Sequence, residues 1–150
     1  KKQKGKLSYT SFEAFPMKPE DMVKAQSEFA ELSSIKHEFS SLWIELLEKG
    51  KLYGSDYHLQ LILGDARRTI KNVDIKANCW FLDGFSPAKN PELWEEELLN
   101  EVYRCTANKG TLSTYSAAGV VRRNLSLAGF EAKRVEGFGR KRHMTIAIKK

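Results

Sequence analysis

The chain has 150 residues, 41% of them hydrophobic, which is enough for one domain around a single core. Its net charge of +6, from 25 basic and 19 acidic residues, permits a polyanionic partner without demanding one. No apolar run approaches the length needed to cross a bilayer, and the basic start Lys1-Lys2-Gln3-Lys4-Gly5-Lys6 leads into no signal-peptide stretch.

Leu7 to Glu13 reads as a short strand, alternating Leu, Tyr, Ser and Glu on one face. Pro19-Glu20-Asp21 opens a helix, with proline at the first helical position and acids in the first turn. Phe39, Leu42, Trp43, Leu46 and Leu47 recur at helical spacing, and Gly50 is a natural stop. His58 to Leu63 is a second strand, ended by Gly64-Asp65 and followed by a short helix near Ala66 to Ile70. Ala77 to Leu82 is a third, an almost unbroken apolar run of the kind buried on both faces of a parallel sheet. Asn90 is expected to cap the next helix, with Pro91 at its first position and Trp94, Leu98, Val102 and Cys105 as its inner stripe. Thr111 to Tyr115 is a fourth strand, and Ala117 to Ala128 a helix stopped by Gly129. Glu131 to Gly137 and His143 to Ile148 are two last strands that form a closing hairpin around Arg140.

Strands alternating with helices through short loops predict an α/β fold with a mostly parallel sheet and one antiparallel C-terminal strand. Cys79 and Cys105 are too few and too far apart for a disulfide framework or a zinc knuckle, so both are expected as reduced core residues of a cytoplasmic protein. His37, His58 and His143 are scattered, and no metal site is expected.

Open α/β sheets bind ligands at the carboxyl ends of their strands. Three acids stand there: Glu13, Asp65 and Asp83. A carboxylate at such a place can accept hydrogen bonds from both hydroxyls of a ribose, or from an exocyclic adenine amine, or can face a reacting group. The competing reading for each is a cap on the following helix or loop. In Asp83-Gly84-Phe85-Ser86-Pro87 the glycine permits close approach of backbone to a ligand, the proline stiffens the loop, and Phe85 offers a ring to a planar base. Basic clusters stand at the N-terminal lysines, Arg67-Arg68, Arg122-Arg123 and Arg140-Lys141-Arg142. Each alone reads as a solvated surface, but the three paired or tripled clusters just after strand-like segments are harder to dismiss as that.

Trp80-Phe81-Leu82-Asp83-Gly84-Phe85-Ser86-Pro87-Ala88-Lys89-Asn90-Pro91-Glu92-Leu93-Trp94 resembles the signature of the MnmC methyltransferase domain, the DUF752 family. Ser11-Phe12-Glu13, Gly64-Asp65, the run from Gly110 to Arg123, Ala128-Gly129-Phe130 and the run from Gly137 to Met144 follow the same family in order. The resemblance covers the chain from about Leu7 to its end. It implies a Rossmann-like class I methyltransferase fold that uses S-adenosylmethionine to methylate the 5-aminomethyl group of wobble 2-thiouridine in tRNA. It also implies a flavin-dependent oxidase, fused or separate, that prepares the amine. By family position Glu13 would hold the cofactor ribose and Asp65 its adenine, and Asp83 would line the cofactor site and orient the amine. Phe85 and Lys89 would line the uridine entrance, and Arg122, Arg123, Arg140, Lys141 and Arg142 would bind tRNA phosphates.

The sequence departs from that family pattern at its start. A first strand and a glycine-rich turn are expected before Glu13, and Gly5 stands there alone. In this fold that strand lies between the second and fourth, so its absence is expected to leave unpaired strand edges. The 150 residues are therefore expected to be part of a longer protein, and to bind S-adenosylmethionine weakly or not at all as they stand. Ser86 stands where the family more often has alanine. Two rival readings remain: a methyltransferase for another amine or nucleic acid, and a non-catalytic tRNA-binding module. A nicotinamide dehydrogenase is disfavoured because no Gly-x-Gly-x-x-Gly turn follows any strand.

Overall fold

Hydrophobic period decides element type along most of this chain, and packing then divides it into two units, Lys1–Thr69 and Ile70–Lys150. The computed structural model describes residues 5–32, 34 and 36–150, so Lys1, Lys2 and Lys4 of the N-terminal cluster lie outside the described residues.

In the first unit, β1 (Leu7–Glu13) pairs in parallel with β3 (Tyr57–Leu63), in register from Leu7 opposite Tyr57 to Glu13 opposite Leu63. Between them in sequence come α1 (Pro19–Gln26) and α2 (Lys36–Lys49). The apolar face of α2, with Leu42, Trp43, Leu46 and Leu47, packs on Leu52, Leu59 and Leu61 of the sheet. Gly50 ends the helix at φ 69°, a left-handed conformation that glycine adopts without a Cβ clash. The short strand β2 (Lys51–Tyr53) follows at once and runs antiparallel to β3. Sequence reading missed it, because three residues between two glycine-bearing turns are too few to display an alternation. The sheet order is β1-β3-β2, which leaves one edge of β1 unpaired among the described residues.

The second unit is built on a four-stranded sheet ordered β4-β5-β7-β6. Its strands are β4 (Ala77–Phe81), β5 (Thr106–Thr114), β6 (Glu131–Glu136) and β7 (His143–Ile148). β4 and β5 are parallel, while β7 runs antiparallel to both β5 and β6, so the expected closing hairpin is present. Two helices cover this sheet, α4 (Glu96–Arg104) and α5 (Gly119–Leu127). Leu99, Val102, Leu112, Val121, Leu125 and Phe130 form the core, each contributing about 1.5–3 kcal/mol by leaving water. Polar groups inside are satisfied: the Trp80 indole donates to Thr106 Oγ1 (2.9 Å), whose hydroxyl donates to the Val102 carbonyl (2.6 Å).

Three expectations need correction here. β4 is not buried on both faces; only Trp80 is buried, while Asn78, Cys79 and Phe81 are exposed, because β4 is the outer strand of its sheet. Cys79 is accordingly exposed, whereas Cys105 is buried and its thiol pKa is raised by that burial. Asn90 makes no side-chain cap, since Pro91–Trp94 is a single 3-10 turn and Glu95 returns to extended backbone before α4 begins. The inner stripe of α4 consequently centres on Leu99, Val102 and Cys105, with Leu98 only half-buried. Among the described residues no strand pairs with the outer edges of β1 or β4.

Candidate active site

The parallel register of β1 and β3 brings two of the three acids side by side. Glu13 ends β1 opposite Leu63, and its carbonyl accepts a hydrogen bond from Gly64 N (2.9 Å), one residue before Asp65. The Glu13 carboxylate is half-buried and turned by the Phe15 amide, which donates to Oε1 at 2.9 Å. Asp65 is more heavily engaged. Its Oδ1 accepts from the Arg67 amide (2.9 Å) and from Arg67 Nε (3.0 Å), and Oδ2 accepts from Nε and Nη2 of the same guanidinium. The Arg67 side chain, then its backbone N–H, hold the Asp65 carboxyl down at about 2. Asp65 thus caps α3 (Ala66–Thr69) and pairs with a cation at once.

The third acid belongs to the second unit. Leu82 continues the β4 pairing by donating to the Ser113 carbonyl (2.9 Å), and Asp83 follows, exposed, where the strand ends. The backbone just beyond is fixed from two sides. The Tyr115 hydroxyl donates to the Gly84 carbonyl, and the Trp94 indole donates to the Phe85 carbonyl at 2.9 Å. Trp94 is buried and lies so close to Gly84 that an added Cβ would meet its ring at 3.1 Å. Close approach of this loop to its support is therefore what requires the glycine. Asn124 of α5 in turn donates to the Trp94 carbonyl (2.8 Å). Lys89 N and Asn90 N both donate to the Ser86 carbonyl, closing a turn that leaves Phe85, Ser86 and Lys89 exposed.

Of the cations, Arg122 is half-buried and donates from Nη1 to the Ala117 carbonyl (2.6 Å), while Arg123 is exposed on α5. Arg140, Lys141 and Arg142 are exposed in the turn between β6 and β7, where Gly139 has φ 59°. Gly137 N donates to the Arg142 carbonyl (3.1 Å), and Lys141 Nζ lies 5.2 Å from the centre of the Tyr115 ring. Tyr115 of the second unit thus touches both the loop that follows Asp83, at Gly84, and the basic turn, at Lys141. Sequence reading missed Tyr115 and the supporting role of Trp94; the only available signal was that each flanks a strand end or a helix start.

A family described as S-adenosyl-L-methionine-dependent methyltransferase matches residues 27–150. The chain belongs to that family. It is 38% identical over 148 residues to a tRNA 5-methylaminomethyl-2-thiouridine biosynthesis bifunctional protein MnmC of Leptospira interrogans, covering 97% of this chain and 23% of the relative. The protein of the same name from Ectopseudomonas mendocina is 37% identical, covering 93% of this chain and 22% of the relative. Among solved structures, MNMC2 from Aquifex aeolicus superposes with a TM-score of 0.73 at 34% identity, covering 95% of this chain and 43% of that one. A methyltransferase from Pyrococcus furiosus, at 16% identity and a TM-score of 0.52, shares the fold alone. The chain therefore spans about a quarter of the length of the curated relatives it matches.

The residues present fit the cofactor of this family in part. Glu13 has one oxygen held by backbone, and its other oxygen accepts no hydrogen bond among the described residues, so it can take a ribose hydroxyl without rearrangement. Asp65 can accept an adenine amine only if Arg67 gives up part of its fork. Among the described residues no cluster of His, Cys, Asp or Glu is placed to hold a metal, and no helix is long and apolar enough to cross a membrane.

Proposed function

We propose that the protein carrying this chain methylates the 5-aminomethyl group of wobble 2-thiouridine in tRNA, giving the 5-methylaminomethyl form. The observation that carries this reading is the Asp83–Phe85 loop: an open carboxylate beside two pinned carbonyls, in the stretch that matches the MnmC relatives. The family match runs across the boundary of the two packing units, which supports reading both as parts of one methyltransferase domain.

S-adenosylmethionine, when bound, supplies an electrophilic methyl group. Glu13 would hold its ribose, and Asp65 would meet its adenine once Arg67 turns aside. By family position Asp83 would orient the substrate amine, which must be neutral to use its lone pair. Formation of the N–C bond would break the methyl–sulfur bond and release the cofactor as its neutral thioether, and Asp83 would accept the proton that the methylated amine then loses, directly or through water. Most of the acceleration comes from alignment, because a held nucleophile reacts as though at very high concentration. A rigid loop backbone serves that end, and the hydrogen bonds from Trp94 and Tyr115 supply the rigidity.

Phe85 and Lys89 line the entrance for a flipped-out uridine, whose face stacks on the exposed ring. Arg122, Arg123, Arg140, Lys141 and Arg142 take the surrounding phosphates, which position the RNA without reading its sequence. The relatives are called bifunctional, and the free amine must be uncovered by a second activity. We assign that step to a flavin-dependent oxidase, fused or separate. A tRNA substrate is compatible with a cytoplasmic reaction.

Transfer of labelled methyl from S-adenosylmethionine to tRNA by the intact protein tests the reading, with Asp83→Asn beside it. The variant should keep tRNA affinity and lose transfer by about a hundredfold, the lower range for a displaced general base. Equal rates for the two proteins would remove Asp83 from the chemistry.

A further inference from the structure

We infer that Tyr115 is a positioning residue that links the basic turn between β6 and β7 to the backbone of the Asp83 loop, so that RNA held at the turn steadies the reacting acid. The inference rests on the function proposed above and adds a residue and a coupling to it.

Tyr115 makes two contacts at once. Its hydroxyl donates to the carbonyl of Gly84, the residue next to Asp83, and its ring face carries the ammonium of Lys141 at 5.2 Å. The carbonyl that follows, on Phe85, is held by the Trp94 indole. The two supports differ in kind. Trp94 is 2% exposed and fixed by the core, whereas Tyr115 is 37% exposed and has solvent on one side. Trp94 is therefore the permanent anchor of the loop, and Tyr115 the one whose hold can change.

Lys141 is what can change it. An ammonium has three donors and no acceptor, so one side can rest on the ring while the others reach a phosphate. Lys141 is exposed, and a cation at an exposed ring is weakly held on its own. A phosphate on its outer side restricts the ammonium to the ring face, restricts the ring in turn, and keeps the hydroxyl on the Gly84 carbonyl. Asp83 then meets the amine with less freedom, which favours the aligned geometry that transfer requires.

The test uses Tyr115→Phe, Lys141→Met and the double variant in the intact protein. Tyr115→Phe keeps the ring and removes only the hydroxyl. It should lower kcat about fivefold, the effect of one hydrogen bond, with KM for tRNA within about twofold of wild type. Lys141→Met should raise KM and lower kcat by a similar factor, and the double variant should show no further fall in kcat, as coupled residues do. Hydrogen exchange provides a readout that needs no reaction. In wild type, tRNA should slow exchange at the amides of residues 84–86, and in Tyr115→Phe it should not. Unchanged kcat in Tyr115→Phe, multiplying losses in the double variant, or a tRNA effect on exchange that survives loss of the hydroxyl would each overturn the inference. If the wild-type protein leaves tRNA unlabelled, the proposed function fails. Tyr115 is then judged by exchange in the free protein, where Tyr115→Phe should speed residues 84–86, and equal rates would sink it.

Discussion

Trp94→Phe probes the support beneath the Asp83 loop most cleanly. The indole is buried, donates to the Phe85 carbonyl at 2.9 Å, and packs against Gly84. Phenylalanine keeps the aromatic character and loses both the donor and part of the volume. The lost hydrogen bond costs about 1 kcal/mol. A residual void of about 40 Å³, at about 24 cal/mol per Å³, adds roughly another 1 kcal/mol. A total near 2 kcal/mol lowers the melting temperature by about 4–8 °C for a chain of this size. With the Phe85 carbonyl released, kcat should fall by about tenfold at temperatures where the variant is fully folded, because alignment is lost before folding is. Thermal unfolding and single-turnover transfer, run on the same preparation, measure both. A variant that melts lower yet turns over at the wild-type rate would show that the indole supports the core and not the reacting loop.

Gly137→Ala should disrupt the basic turn, because its Cβ would clash with the Lys141 carbonyl oxygen, a backbone atom that can yield only by opening the hairpin. Weaker tRNA binding in a gel-shift or fluorescence titration, with cofactor affinity retained, is the expected outcome. Replacing Arg140, Lys141 and Arg142 together by glutamine should flatten the plot of log affinity for tRNA against log salt by about two units, since each phosphate contact contributes about 0.7–0.9. An unchanged slope would place the phosphates elsewhere. Asp65, with its carboxyl lowered from 3.8 to about 2, stabilises the fold above its unfolded value, and that contribution disappears as pH falls through about 2. Asp65→Asn should therefore lower stability at neutral pH and leave it unchanged at the acid end, as acid titration of the melting temperature would show.

Elements with a long, clean period were legible in the sequence. Leu42, Trp43, Leu46 and Leu47 on α2, and the β6–β7 hairpin, needed nothing beyond spacing and a glycine stop. β4 was legible as a strand but not as an edge, because an apolar run is the same whether or not a neighbour covers it; Cys79 and Phe81 were misjudged for that reason. Asn90 and Pro91 stood in the right order for a capped helix, yet the turn over Pro91–Trp94 ends where Glu95 returns to extended backbone, which the local sequence did not signal. At the candidate site, strand ends located Glu13, Asp65 and Asp83, but the partner that occupies a carboxylate could not be read. Arg67 sits two residues from Asp65 and closes on it, whereas Asp83 stays open. Tyr115 was hidden because its partners, Gly84 and Lys141, come from distant loops that meet only once β4, β5 and the hairpin share a sheet.

The most direct test of the proposed reaction is to locate the transferred methyl group. The intact protein is given labelled S-adenosylmethionine and tRNA bearing 5-aminomethyl-2-thiouridine at the wobble position, and the product is digested to nucleosides. Label should appear in 5-methylaminomethyl-2-thiouridine and nowhere else. Label in another nucleoside, or none from a protein that binds both cofactor and tRNA, would contradict the assigned substrate and leave only the fold and the family standing.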